Sequence, residues 1–203
     1  TGDNQRSVTL SAKLSSGKFL PKKWGIKIPI NFNYTYDMAA PKFYPGSDIL
    51  SGGIDDAPQE IKTINKKTSI STSFDKNTKS DNMFVKYTID KVKFNFSFID
   101  RYKSTPTVES ENAKDISVST SYDYNFSDSN FLQPFNFLKS LPIIGKQIAE
   151  TRLYWSPESF STSVSLSEHN QISTQRTGSI TPTYSLNLDR KYKMNYRITK
   201  NIK

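Results

Sequence analysis

Residues 24–36, WGIKIPINFNYTY, constrain the fold more than any other part of the chain, because their side chains alternate with a period of two. The odd positions carry small, charged or amide residues together with Pro29. The even positions are all large and apolar or aromatic: Trp24, Ile26, Ile28, Ile30, Phe32, Tyr34 and Tyr36. A strand places successive side chains on opposite faces, whereas an amphipathic helix needs apolar residues at i, i+3, i+4 and i+7. The stretch therefore predicts a long strand with one apolar and one polar face.

The length of this stretch favours a membrane-spanning strand. Ordinary strands run about five or six residues, whereas a tilted strand that crosses a bilayer needs about 9–11. Positions 24 and 36 are twelve steps apart, so about 3.3 Å per step and a tilt near 45° give a span of roughly 28 Å. The apolar band of a bacterial barrel is about 25 Å tall and is bordered by aromatic girdles. A long strand packed on the core of a soluble sheet is the alternative.

The same alternation recurs along the chain and predicts strands at residues 8–14, 64–74, 92–98, 116–126, 160–167, 180–188 and 192–198. Hydrophobic residues make up only 34% of the chain, and the mean hydropathy is −0.62. Such values are low for a compact core but normal for a barrel whose lumen-facing side chains are polar, and the 13% of aromatic residues argue against disorder. We therefore expect an all-β fold, an antiparallel meander of about eight long amphipathic strands that forms a section of a transmembrane β-barrel in the bacterial outer membrane.

Each strand then has a lipid-facing and a lumen-facing set of side chains. The predicted lipid-facing residues are Trp24, Ile26, Ile28, Ile30, Phe32, Tyr34, Tyr36, Phe94, Phe96, Phe98, Val118, Tyr122 and Tyr124. The predicted lumen-facing residues are Lys27, Asn31, Asn33, Lys93, Asn95, Ser117, Ser119 and Ser121. Outer-membrane lipid is accordingly the first expected partner.

Several segments interrupt the strand pattern. Asp189, Arg190 and Lys191 are predicted to separate two strands, and the change of apolar parity at Asp90 and Lys91 predicts a two-residue hairpin or a bulge. Residues 39–62 are rich in proline and glycine and predict a long loop. Its carboxylates could bind calcium, although their spacing matches no known calcium loop and a solvated loop is favoured: Asp48, Asp55, Asp56 and Glu60. Residues 131–150 predict one short helical or interfacial insert.

Neither enzyme chemistry nor nucleic-acid binding has good support in the sequence. The chain has no cysteine and one histidine, His169, which is interpreted as a residue at a strand end, although a Ser-His-Asp triad stays open. The net charge of +9 is spread along the whole chain rather than gathered into a patch, which argues against nucleic acid. We expect no catalytic residue, cofactor or metal.

The domain organisation is predicted to be one β-barrel segment over residues 1–203. No run of about 18 apolar residues is present that could form a membrane helix. The chain opens on Thr-Gly-Asp-Asn and closes on Asn-Ile-Lys, and we expect it to be part of a longer chain.

One segment resembles a known family. FLPKKWGIKIPINFNYTYDMAAPKFYP is similar to a recurring segment of the SprA (Sov) family, very large outer-membrane proteins of Bacteroidota. The features that carry the resemblance are Leu20-Pro21, Trp24-Gly25, Ile28-Pro29, the Tyr-rich strand and Pro41-Lys42-Phe43. Residues 87–102, PFNFLKSLPIIGK and WSPESFSTSVSLSEHNQISTQR resemble later segments of that family in the same order, but Glu168 stands where a basic residue is expected.

The resemblance implies a section of the wall of the type 9 secretion translocon, a giant outer-membrane barrel through which folded proteins are secreted and which is related to gliding motility. It also implies further partners: the remainder of the barrel chain, secreted protein cargo, and plug and accessory secretion proteins. The alternative is a soluble secreted all-β module that binds carbohydrate or protein through exposed aromatic rings. A requirement for detergent would distinguish the two.

Overall fold

The computed structural model describes residues 3–140 and 148–199. Its ten strands are β1 (Asp3–Ser15), β2 (Ile26–Lys27), β3 (Pro29–Pro41), β4 (Thr63–Lys76), β5 (Val92–Ser104), β6 (Val108–Asn125), β7 (Phe131–Leu132), β8 (Leu153–Tyr154), β9 (Ser159–Gln175) and β10 (Ile180–Asn195). Two short α-helices lie wholly within the described residues, α1 (Gly53–Asp56) and α2 (Met83–Tyr87), and residues 148–149 are also helical. 3-10 turns cover Ser16–Phe19, Lys22–Trp24, Gln59–Ile61, Ile89–Lys91 and Asn136–Ser140. None of the helices in these ranges has the length and apolarity that crossing a membrane requires.

The seven long strands form one antiparallel sheet in the order β1-β3-β4-β5-β6-β9-β10, so each long strand pairs with the next long strand of the chain. The short β2 pairs with β4, and β7 and β8 form a separate two-stranded sheet. The predicted antiparallel meander is confirmed. Within the described residues β1 and β10 each have a strand on one side only, so the sheet is open at both edges.

The strands are longer than the apolar alternation alone predicts. β6 has 18 residues and β9 has 17, whereas the predicted strands covered residues 116–126 and 160–167. The additional residues are mainly polar or charged, as in the sequence VESENAKD that opens β6. Backbone pairing does not depend on apolar side chains, so the ladders continue beyond the apolar zone.

The predicted strand at residues 24–36 is broken near its start. Trp24 lies in a 3-10 turn, and Gly25 adopts a left-handed conformation with φ of 60°. β2 then pairs with the end of β4, and β3 begins at Pro29. A β-carbon on Gly25 would lie 2.4 Å from the Thr78 side chain, so this turn requires glycine both for its backbone angle and for space.

The predicted turn at residues 189–191 is wrong. Asp189, Arg190 and Lys191 continue the ladder of β10 with β9, opposite Ser165, Val164 and Ser163. Three consecutive charged residues suggested a turn, but β10 is an exposed edge strand of the described sheet, and charged side chains are common on such edges.

The hairpin predicted at Asp90 and Lys91 is also wrong. The preceding residues form helix α2, which Asn82 caps by accepting hydrogen bonds from the backbone N–H groups of Phe84 (2.9 Å) and Val85 (3.3 Å). A 3-10 turn at Ile89–Lys91 leads into β5. Apolar residues at alternate positions over so short a run do not distinguish a strand from a single helical turn.

The connections differ at the two ends of the sheet. One end, here called the long-loop end, carries the connections 16–28, 77–91 and 126–158. The opposite end carries the tight turns 105–107 and 176–179 and the connection 42–62, which is shorter than the predicted loop because β3 continues to Pro41. The predicted insert at 131–150 contains β7 and a 3-10 turn, and its residues 141–147 lie outside the described residues.

Candidate functional site

The two faces of the seven-stranded sheet form the candidate functional surface. Directly paired residues have the same parity in all six ladders between long strands, apart from a register shift at Val108 and Ser110. Opposite residues of an antiparallel pair share a face, so the even positions of these strands form one face and the odd positions form the other. We call them the apolar face and the polar face.

The apolar face carries most of the residues that were predicted to face lipid. In the long strands it contains Ile30, Phe32, Tyr34, Tyr36, Phe94, Phe96, Phe98, Val118, Tyr122 and Tyr124, and β2 adds Ile26 along β4. Trp24 lies outside the strands, in the 3-10 turn, and Ile28 lies between β2 and β3. The central row of this face crosses the sheet at Leu14, Ile30, Thr72, Phe96, Val118, Leu166 and Leu188.

The centre of this apolar face is not covered by the rest of the described chain. The buried apolar residues of the whole described chain are four alanines, of which only Ala40 lies on this face, and no large side chain is fully buried. On the edge strands the apolar side chains are about half exposed or more, as for Leu10 (58%) and Leu186 (54%). Complete burial of a Leu or Phe side chain stabilises a folded protein by about 1.5–3 kcal/mol relative to leaving it exposed to water. A face with this many uncovered apolar side chains therefore requires either another protein layer or an apolar solvent to remove it from water.

Charged groups occur on the apolar face mainly near the end of the sheet that lies opposite the long-loop end. Lys66 lies between two tyrosines of neighbouring strands, with its Nζ 5.6 Å from the ring centroid of Tyr36 and 5.4 Å from that of Tyr102. Stacking on aromatic rings stabilises a cation that lies on an apolar surface. Glu168 and Arg190 interrupt the face further along, on the two strands nearest the β10 edge.

The polar face carries all the residues that were predicted to face the lumen. They are Asn31, Asn33, Lys93, Asn95, Ser117, Ser119 and Ser121 in the long strands, with Lys27 in β2. Asn31 donates to the Ser71 hydroxyl and Asn95 to the Ser119 hydroxyl, each at 3.4 Å. The centre of this face is therefore a layer of small hydroxyl and amide groups.

Two clefts open on the polar face, with volumes of about 420 and 460 Å³. The first is lined by the serines and asparagines of β3, β4, β5, β6 and β9, and the second reaches Lys13 on β1. Both clefts are open to solvent, because the small side chains of this face leave space above the sheet. A polar, water-accessible face is what the interior of a barrel wall presents.

His169 lies inside β9 and not at a strand end, so that prediction is wrong. Its Nδ1 is 2.6 Å from Asp115 Oδ1, and its Nε2 is 3.3 Å from Gln171 Oε1. Arg101 forms an ion pair with the other oxygen of Asp115. The ring nitrogen that a catalytic triad would direct at a serine therefore contacts an amide oxygen, and the cluster is best described as an ion-pair network on the polar face.

The acidic residues of connection 42–62 do not assemble into a metal site in the described residues. Arg6 donates to both carboxylate oxygens of Asp55, each at 3.0 Å, and this interaction lowers the pKa of Asp55. The pair links α1 to the apolar-face side of β1. It is largely exposed, so its contribution to stability is small.

A buried ion pair fixes connection 77–91 at the long-loop end. The Lys76 ammonium contacts the Asp90 carboxylate, and the two side chains are only 5% and 6% exposed. Asp90 also accepts from the backbone N–H (2.7 Å) and hydroxyl (3.0 Å) of Ser80. Burial raises the pKa of Asp90, but the hydrogen bonds from Lys76 and Ser80 outweigh it and hold the pKa below its usual value. Nothing in the sequence pattern indicated this pair.

Comparison with known proteins gives one family match. Residues 1–51 match the family model SprA_N, described as motility related/secretion protein. The match covers β1, β2, β3 and the connections between them, and it supports a relation to SprA-type secretion and motility proteins. No curated protein matches the chain.

Proposed function

We propose that this chain is a wall segment of an outer-membrane β-barrel that conducts proteins in the type 9 secretion system. The apolar face contacts lipid, and the polar face lines a water-filled lumen. The observation that carries the proposal is the uncovered apolar face of a sheet whose other face is a layer of serine and asparagine. The family match over residues 1–51 supports the connection to secretion and motility.

Lipid accounts for the apolar face better than a soluble core does. A soluble sheet must bury one face against a second layer, because the exposed apolar area otherwise destabilises the fold. Among the described residues no second layer covers the centre of the apolar face, and no large apolar side chain is fully buried. Hydrocarbon chains of lipid would cover this face without any additional protein layer.

The spacing of two tyrosine rows supports the same proposal. One row contains Tyr36 and Tyr102, and the other contains Tyr122 and Tyr192. On β5 the two rows are marked by Tyr102 and Val92, which are ten residue steps apart. At about 3.3 Å per step and a tilt near 45°, the rows are roughly 23 Å apart in depth, close to the apolar band of about 25 Å in bacterial barrels. The row with Tyr122 and Tyr192, rather than Trp24, therefore marks the second interface in this proposal.

The open edges of β1 and β10 require additional strands. Unpaired backbone groups are not tolerated in hydrocarbon, so a membrane wall must close into a barrel. We assign the missing strands to the remainder of a larger barrel chain. Secreted proteins would pass along the polar face, whose small hydrated side chains offer few apolar contacts to retain them. Plug and accessory proteins would supply gating.

A pair of neighbouring residues on β6 tests the two-faced assignment. The chain contains no cysteine, so Val118→Cys and Ser119→Cys each give one labelling site. The variants, made in the complete barrel chain with any other cysteines replaced, then reconstituted in lipid vesicles and labelled with a nitroxide, should differ in accessibility. The label at 118 should collide with oxygen dissolved in lipid, and the label at 119 with a water-soluble nickel complex. Equal access of both labels to the aqueous relaxant would refute the proposal and favour a soluble module.

A further inference from the structure

Connection 77–91 lies over the apolar face instead of extending away from the sheet. Tyr122 of β6 donates its hydroxyl to the Tyr87 carbonyl oxygen at 2.9 Å, and the rings of Tyr87 and Tyr124 are 5.9 Å apart at 52°. Tyr122 and Tyr124 are even positions and belong to the apolar face. The buried pair of Lys76 and Asp90 holds the base of the connection. Helix α2 is therefore fixed beside the end of the apolar face.

The outer surface of α2 is apolar. Met83 and Phe84 are 71% and 72% exposed, although they are among the largest apolar side chains of this connection. The cap from Asn82 fixes the start of the helix, so these side chains are presented from an ordered turn. Exposed apolar residues at an ordered position need a partner that covers them.

Basic residues outnumber acidic ones around this apolar tip, where Asp81 is the one exposed carboxylate of connection 77–91. Lys79 and Lys86 are exposed on the same connection, and the Lys86 ammonium is 5.6 Å from the ring centroid of Tyr87. The Thr78 hydroxyl donates to the Trp24 carbonyl at 2.7 Å, which places the turn containing Lys22, Lys23 and Trp24 against the connection. Apolar side chains flanked by lysines, with tyrosine and tryptophan beside them, are typical of segments that lie at a membrane interface.

We infer that connection 77–91 is an interfacial anchor that inserts Met83 and Phe84 at the boundary between headgroups and acyl chains. Lys79 and Lys86 then lie beside the phosphates of anionic lipids. The inference rests on the proposed function, because it extends the lipid-facing surface at the long-loop end. The continuity of α2 with the apolar face and the basic residues around it favour a lipid surface over a protein partner.

Depth-dependent quenching tests the anchor separately from the wall. Phe84→Cys carries a fluorescent label as the anchor probe, Phe96→Cys carries it as the wall probe, and Ser117→Cys on the polar face is the control. The variants are made in the complete barrel chain with any other cysteines replaced. The vesicles contain phosphatidylcholine and phosphatidylglycerol, with bromine placed either near the headgroup or deep in the acyl chain. We expect shallow bromine to quench the label at 84 more strongly than deep bromine, and the reverse at 96. The label at 117 should be quenched mainly by aqueous iodide.

The outcomes separate the two proposals. If the label at 84 responds to iodide while the label at 96 responds to deep bromine, the anchor is refuted and the wall stands. Protection of the label at 84 from both quenchers would mean that protein covers it, which also refutes the anchor. Failure of bromine to quench the label at 96 refutes the proposed function itself.

A separate comparison tests whether Lys79 and Lys86 contact anionic lipid. In the Phe84→Cys background, Lys79→Gln together with Lys86→Gln should remove the effect of phosphatidylglycerol on shallow quenching. The same pair of substitutions at Lys103 and Lys191 on the polar face is the charge-matched control and should preserve it. Shallow quenching that is equal with and without phosphatidylglycerol in the parent Phe84→Cys protein would overturn the assignment to anionic lipid.

Discussion

Phe96→Arg offers the most direct energetic test of the two-faced wall. Phe96 is at the centre of the apolar face, in the row with Thr72 and Val118 on its neighbouring strands. An arginine at the midplane of the lipid face of a barrel costs about 2–4 kcal/mol. Since about 1.4 kcal/mol corresponds to a factor of ten, the ratio of folded to unfolded protein should fall roughly 30- to 700-fold.

The matched control for this substitution is Ser97→Arg, one residue along the same strand on the polar face. An arginine there would project into water and should change the free energy of unfolding by less than about 0.5 kcal/mol, as is usual for surface substitutions. Phe96→Ala separates the loss of the ring from the cost of the charge. Any loss in Phe96→Arg beyond that in Phe96→Ala is assigned to the charge.

Urea titration of the complete barrel chain, carrying each substitution and reconstituted in lipid vesicles, measures these differences. The two tryptophans, Trp24 and Trp155, provide the fluorescence signal, and both lie outside the long strands. The reasoning is refuted if Phe96→Arg and Ser97→Arg lower the free energy of unfolding equally. It is also refuted if Phe96→Arg is no worse than Phe96→Ala, because the face would then be in contact with water.

Four further predictions concern the connections and the lumen. Gly25→Ala should destabilise the protein by about 1–3 kcal/mol in urea titration, through backbone strain and the clash with Thr78, whereas Gly46→Ala, with a similar φ but open space around it, should cost less. Lys76→Ala should cost about 3–5 kcal/mol because it leaves Asp90 buried without its cation. The pKa of Asp90 is lowered in the folded state, so the stability that this carboxylate contributes is present above its unfolded pKa of about 3.9. This stability is lost as pH falls through the pKa of the folded state. Asp90→Asn should remove that part of the pH dependence of unfolding. A photo-crosslinking amino acid at position 117 should capture secreted protein in cells, and one at position 118 should not; equal capture at both positions would contradict a polar lumen.

The alternation of residue types was enough to predict the sheet, because the faces of a strand have different surroundings. Position by position, the assignment of Phe94, Phe96 and Phe98 to one face and of Lys93 and Asn95 to the other agrees with the ladders of β5. The pairing order also followed from the sequence, since consecutive strands with connecting turns form a meander. That these faces contact lipid and lumen stays a prediction.

The remaining features depend on contacts that a local pattern does not contain. The turn at Trp24 is set by the approach of Thr78, which is distant in sequence. Asp115 pairs with His169 only because β6 and β9 are neighbours, after the whole connection 126–158. The charged stretch at Asp189 stays in a strand because its backbone is paired along β9, and side-chain charge does not report that pairing. In each of these cases, contacts between residues that are far apart in the sequence determine the local structure.

The uninterrupted ladder between β5 and β6 limits how related sequences can change in length. One residue inserted within β5 would move every later side chain of that strand to the other face, so polar residues such as Asn95 and Ser97 would replace phenylalanines on the apolar side. An insertion in connection 42–62 or 126–158 would leave both faces as they are. Descendants of this chain should therefore differ in length at the rims and keep constant strand lengths. Duplication of a whole hairpin would widen the wall without disturbing either face, which offers a simple evolutionary route to a barrel of large circumference.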